Sequence, residues 1–253
     1  MGPQGDALMH AFGELARWLT NGEHWTGPDG IPTRVLQHVE ISAAGVALAL
    51  VLAVPIGLLI GHIRRGQFVA VSIANLGRAI PSFAILSIVF QLMLRYFGRN
   101  AFGFWPTVIA LFLLGVPPIL TNTYVGVEGV DRDTVEAARG MGMTGGQILS
   151  KLELPLAIPL MIAGIRTAAV QVVATATLAA LIAGGGLGRY IIDGFAQGDQ
   201  PQILAGAVLV AMLAIVTELV FALLERIVSP RTSTRGPRRS VSEAGLRQIL
   251  PRW

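Results

Sequence analysis

Long apolar runs separated by short polar breaks dominate the chain. The first runs from Ile41 to Ile60 without a charged residue, about the 20 residues a helix needs to cross roughly 30 Å of hydrocarbon. Gly61 ends it, and His62, Arg64 and Arg65 follow. A second run covers Phe68 to Leu94, broken by Arg78 and Pro81, and a third covers Phe104 to Val125, with Pro117 and Pro118 inside it. A polar segment from Glu128 to Glu153 precedes a fourth run, Pro155 to Leu181, which contains Arg166. Gly184-Gly185-Gly186-Leu187-Gly188 then leads to a fifth, Ile203 to Leu224. None of these runs alternates as barrel strands do, and an open sheet edge has no partner in lipid. The pattern predicts an all-α polytopic membrane protein with five core transmembrane helices, or six if the second or fourth run is really two. Internal prolines, Pro55 included, are tolerated where neighbouring helices satisfy the freed backbone groups.

Composition agrees. Charged residues make up 13% and mean hydropathy is +0.64, whereas soluble domains carry roughly 25% charge. The absence of cysteine excludes disulfides and thiolate metal sites. A formal net charge of +4 does not point to nucleic acid, because the basic residues cluster in loops and the C-terminal tail, where they suit anionic lipid headgroups. Basic residues also set the orientation. Arg64 and Arg65, Arg132, Arg139 and Lys151, and the Arg-rich tail are expected in the cytoplasm, against Arg17, Arg34, Arg95, Arg99 and Arg189 outside. Asp6 and Glu14 leave no apolar signal-peptide core near the start. The expected organisation is an extracytoplasmic segment over 1–37, a transmembrane domain over 38–226, and a basic cytoplasmic tail over 227–253 whose composition predicts disorder.

The most informative stretch is DRDTVEAARGMGMTGGQILSKLELP, Asp131 to Pro155. Asp133 is placed to cap a short helix, with Glu136 three residues on to reach back; Thr144 and Gln147 repeat the arrangement for a second. Gly140 and Gly142 allow a sharp turn between them, and Pro155 suits the first turn of the next helix. Ala137 and Ala138 offer a flat face to another protein. The spacing Glu136-Ala137-Ala138, three residues, Gly142, nine residues, then Leu152-Glu153-Leu154-Pro155 resembles the EAA loop of bacterial ABC importer permeases, with Leu152 in place of isoleucine. The resemblance implies that residues 131–155 form the coupling loop, that Glu136, Ala137, Ala138 and Gly142 contact a cytoplasmic ATP-binding subunit, and that Leu154 and Pro155 complete the motif. It also implies a second permease copy or paralogue and an extracytoplasmic substrate-binding protein. Ala79-Ile80-Pro81-Ser82, Glu136 to Thr144, Ala163 to Ala168, and Ala176 to Ala180 with the following glycines resemble, more narrowly, permeases for glycine betaine, carnitine, choline and proline betaine. Methionine importer permeases share the scaffold and loop.

The chain carries no engine of its own. Lys151 is the only lysine and follows Ser150, so no G-x-x-x-x-G-K-[ST] phosphate loop exists. Gly140-x-Gly142-x-x-Gly145 matches a dinucleotide fingerprint but has no strand before it. The expectation is a non-catalytic subunit without cofactor or metal, ATP-Mg being held by the partner. Arg166, at membrane depth, either lines the pathway or a subunit interface or pairs inside the bundle; Glu218 in the fifth run is a candidate partner, though its depth is opposite to what a simple pairing needs. Pro81, Gly185 and Gly186 are further pathway or interface candidates, the glycines serving a gate or merely a tight re-entrant turn. Trp18, Trp25, Trp105 and Trp253 are too scattered to compose an aromatic cage for a quaternary ammonium, which puts substrate recognition on the binding protein. His10, His24, His38 and His62 lack metal-ligand spacing. An ion-coupled secondary transporter and a membrane scaffold are the rival classes.

Overall fold

In a computed structural model, residues 3–228 are described apart from 67, 69, 70, 73, 74, 76 and 78, so the tail and Arg78 lie outside the described residues. Nine α-helices are assigned among these residues: α1 Pro3–Thr20, α2 Ile31–Ile63, α3 Ser82–Phe97, α4 Phe104–Glu128, α5 Arg132–Gly140, α6 Gly145–Ile148, α7 Leu154–Thr175, α8 Gly188–Gln197 and α9 Gln200–Val228. No strand occurs among them. A π-helical turn, Leu149–Glu153, joins α6 to α7, and a 3-10 segment, Ala176–Ile182, continues α7.

Among the described residues, four helical stretches are long and apolar enough to span a bilayer: α2, α4, the continuous Gly145–Ile182 helix, and α9. The second expected run divides at Pro81: described residues on its near side, 68, 71, 72, 75, 77 and 79, are helical, and α3 follows, whose 16 residues reach about 24 Å, short of a full crossing. It starts immediately after Pro81, the residue expected to break that run. The first span begins at Ile31 rather than Ile41. Charged and polar residues at Arg34, Gln37, His38 and Glu40 masked its first turns in the hydropathy pattern. Gly30 and Pro32 mark its start.

α4 is the central helix. Gly45, Ala49, Ala53, Gly57 and Gly61, one every four residues, form a buried stripe on α2 that lets α4 come close. A methyl group added at Gly57 would lie 2.8 Å from Thr123, and one at Gly61 would lie 2.7 Å from Val127. The Gly57–Gly61 spacing, uninformative in isolation, therefore marks a real helix contact. On the other side of α4, Gly164 of α7 packs on Asn122 and Pro118, and Gly126 of α4 packs on Ala157. α9 packs against α7 and α8, and α1 lies against α9. Most large apolar residues of α9, Met212, Ile215, Leu219 and Leu223 among them, face outward, as a lipid or subunit contact requires.

Gly61→Leu is expected to force α2 away from α4 and to destabilise the purified protein by about 1–3 kcal/mol. A thermal unfolding midpoint unchanged in detergent would contradict this packing.

Candidate functional site

The polar segment folds as the two capped helices its sequence suggests, with one change of cap. Asp131, not Asp133, caps α5: its carboxylate accepts the Thr134 N–H at 2.9 Å and the Thr134 hydroxyl at 3.2 Å. These two bonds, the backbone one first, hold the Asp131 carboxyl below the usual carboxylate range. The helix begins two residues earlier than a cap at Asp133 would give. Asp133 thus falls in the first turn, where a negative charge suits the helix dipole. Glu136 is consequently too far along to reach back to the cap and remains exposed. Thr144 and Gln147 do form a reciprocal capping box, at 3.4 and 2.8 Å. Gly142 reverses the chain between the helices with φ +85°, a left-handed backbone that side chains resist.

Val130, Val135, Ala138 and Ile148 pack into a small core that holds the pair together. Ala138 is only 3% exposed, so the expected flat Ala137–Ala138 face narrows to Ala137. Glu136, Ala137, Gly142 and Met141 form the outward side, Met141 being 77% exposed. Leu154 packs on Val127, Ala157 and Met161, while Pro155 is exposed in the first turn of α7. A cleft of about 270 Å³, lined by Arg64, Arg132, Val135, Glu136 and Arg139, separates α5 from the end of α2.

The pair is fastened to the bundle at two points. His62 Nδ1 meets the Glu153 carboxylate at 2.5 Å, with Glu153 only 1% exposed. Arg64, in a left-handed backbone conformation, donates from Nη2 to the Val130 carbonyl at 2.7 Å. The π-turn between α6 and α7 makes the second short helix continuous with a long span, so α6 is the water-facing end of that span and not an independent helix. Wide turns of this kind concentrate at functional sites.

The remaining candidates lie in separate places. Arg166 Nε donates to Glu218 at 2.8 Å and Nη1 to Glu225 at 2.9 Å, with Nη2 also on Glu218. Glu218, the candidate partner, is thus reached, and only the expectation that its depth is opposite to what a pairing needs is overturned. α7 and α9 run antiparallel, and Arg166 lies about 18 Å from Leu154 while Glu218 lies about 15 Å from Val228. Gly185 and Gly186 form a tight turn against α2 at the other end of the bundle. The Gly186 N–H donates to Gln37 at 3.0 Å and the Leu187 N–H to His38 Nδ1 at 3.2 Å; His38 Nε2 in turn reaches the Val173 carbonyl at 2.9 Å. Pro81 sits exposed at the start of α3. His62, Glu153, Gln37 and His38 carry these joints; sequence reasoning weighed the two histidines only as metal ligands and Glu153 only as part of the motif. His38, His62 and Glu153 flank the apolar runs, and that position at the run ends was the one signal available.

Residues 53–234 match the family described as binding-protein-dependent transport system inner membrane component. The chain is 39% identical over 195 residues to the glycine betaine/carnitine/choline transport system permease protein OpuCB of Bacillus subtilis, covering 77% of this chain and 87% of that protein. It is likewise 39% identical to the choline transport system permease protein OpuBB of the same organism (78% and 88%) and 34% identical to the osmoprotectant import permease protein OsmW of Salmonella typhimurium (77% and 90%). Its fold matches an inward-facing MetNI methionine ABC transporter chain with a TM-score of 0.68 at 20% identity, over 77% of this chain and 94% of that one. The protein is a polytopic transport permease. It belongs to the binding-protein-dependent transport system inner membrane component family of ABC importers, whose members carry no ATPase of their own and work with separate ATP-binding and substrate-binding subunits.

His62→Ala leaves Glu153 buried without its partner. Hydrogen exchange over residues 145–153 is expected to rise at least about tenfold, while the Gly186 and Leu187 amides stay protected. Unchanged exchange over 145–153 would show that packing alone holds the pair.

Proposed function

We propose that this chain is the permease of an importer for compatible solutes of the glycine betaine, carnitine, choline and proline betaine type. The α5–α6 pair is its contact with the ATP-binding subunit. The observation that carries this reading is a capped, water-facing helix pair with Glu136, Ala137 and Met141 outward, fastened to two spans through His62, Arg64 and the π-turn. The substrate class follows from the relatives named above. Two permeases, a second copy or a paralogue, enclose the pathway, and two ATP-binding subunits hold ATP-Mg beneath them. The helix pair and the C-terminus then lie in the cytoplasm.

ATP binding draws the two ATPase subunits together and displaces the helix pair on each permease. Because α6 is continuous with α7 and Glu153 grips α2, the displacement passes to both helices that enclose α4. The Arg166–Glu218–Glu225 cluster makes α9 follow α7. The pathway turns outward and accepts solute from the binding protein.

In proteoliposomes holding the complete complex, Glu136→Lys and Gly142→Asp are expected to reduce ATP-dependent uptake to background while the permease remains in the membrane. Normal uptake by either variant would contradict the docking assignment. Uptake that follows an ion gradient and ignores ATP would replace the reading with a secondary transporter.

A further inference from the structure

The spans differ in what they leave uncovered. Between Ala43 and Ile63 the exposed residues of α2 are all apolar, Leu48, Leu52, Ile56 and Leu59 among them, and the same holds for α9 from Leu204 to Leu224. Such faces suit lipid tails, which are as apolar as leucine. α4 is mostly buried. α7 is the exception. Its exposed residues, Leu156, Leu160, Thr167, Gln171 and Ala174, recur at helical spacing and so share one face. That face is apolar at its start and polar from Thr167 onward.

Gln171 is the side chain that hydrocarbon does not accommodate. The Thr167 hydroxyl donates to the Ala163 carbonyl at 2.9 Å and the Thr175 hydroxyl to the Gln171 carbonyl at 2.8 Å, so both are satisfied within their own helix. The Gln171 side-chain amide takes no hydrogen bond among the described residues. It lies about 24 Å along the helix from Pro155, inside an apolar run. An exposed amide without a partner is strongly unfavourable in lipid at that depth. Gln91 of α3 is exposed too, but it stands one turn from Arg95 and about 9 Å from the helix end, close to interfacial water. Gln171 is farther from both ends of its span.

The one charge within α7 is kept off this face. Arg166 points about 100° round the helix from Thr167, toward α9, where Glu218 and Glu225 accept its hydrogen bonds. The face from Thr167 to Ala174 therefore offers an amide and no ionised group. A surface of this kind exchanges hydrogen bonds with a carboxylate or hydroxyl, and it lacks the fixed countercharge that would hold an ion in place.

We infer that this face of α7 lines the water-filled solute pathway and that the passing solute touches the Gln171 amide. The class of solute, a compact zwitterion or cation with a quaternary ammonium head, rests on the function proposed above. The amide N–H donates to the carboxylate of the zwitterion or to the hydroxyl of the cation. Because α7 is continuous with α6, a displacement of the helix pair carries the pathway face with it.

The test uses the complete complex in proteoliposomes, with ATP and binding protein present. The natural chain has no cysteine, so Gln171→Cys and Ile215→Cys each place a single thiol in the permease, one on the pathway face and one on the apolar face of α9. Both are treated with 2-(trimethylammonium)ethyl methanethiosulfonate, a water-soluble reagent with a quaternary ammonium head, and modification of the permease is followed by mass spectrometry. Apolar surroundings keep a thiol protonated and unreactive, so Gln171→Cys is expected to react at least about tenfold faster than Ile215→Cys. Its modification should also stop uptake. If Gln171→Cys stops uptake before modification, Thr167→Cys on the same face serves for that readout. Equally slow reaction at positions 171 and 215 would overturn the inference. So would oxidative cross-linking of an otherwise unreactive Gln171→Cys to a second permease, or full modification without loss of uptake. Uptake of choline and glycine betaine by the unmodified complex separates the two claims. Fast reaction at position 171 without uptake of either solute removes the substrate class and leaves the pathway face. Uptake of both with slow reaction removes only the pathway face.

Discussion

Glu153 is buried where a water-facing helix enters the bundle, and its carboxylate meets the His62 ring at 2.5 Å. A buried carboxylate without a partner is strongly unfavourable, so this contact ties the position of the helix pair to the end of α2. The π-turn ties the same pair to α7. Between α2 and α7 lies α4, held to both by glycines whose replacement by any larger residue would produce a clash. A force applied to the outer face of α5 therefore meets a continuous close-packed path into the membrane. Interiors of this density transmit displacement and do not absorb it.

The polar groups within the spans serve the same rigidity. Arg166 between Glu218 and Glu225 joins α7 to α9 at a depth where lipid cannot solvate charge. At the other end, His38 bridges the glycine turn and the Val173 carbonyl, so α2, α7 and the 184–188 turn share one buried ring. The bundle thus has a polar joint at each end of α2, one toward the α5–α6 pair and one at the opposite end. Coupling between two sites needs such physically connected elements with alternative arrangements.

Much of this was legible in the chain. Apolar runs announced the helices, and Thr144–Gln147 with Gly142 announced the turn, because capping and left-handed backbone are local chemistry. The less legible features were non-local. His62 and Glu153 are 91 residues apart and Arg166 and Glu218 are 52 apart, so no local spacing links them. The start of α2 was hidden because Arg34 pairs with Asp29 in the preceding connection, Gln37 holds the 184–188 turn and His38 reaches that turn and α7, and these polar residues lower the local hydropathy. Ala138 was read as surface because an alanine gives no sign of which neighbour covers it; Val130 and Ile148 decide that.

The proposed coupling requires that an ATP-binding subunit cover the outer side of α5. The natural sequence contains no cysteine, so Met141→Cys introduces a single thiol at a 77% exposed position on that side. Its labelling by a membrane-impermeant maleimide should be measured in inside-out vesicles with and without the ATP-binding subunit. Docking on this side gives rapid labelling of the permease alone and strong protection by the subunit. Equal labelling in the two preparations, with the subunit shown to be bound, would contradict it.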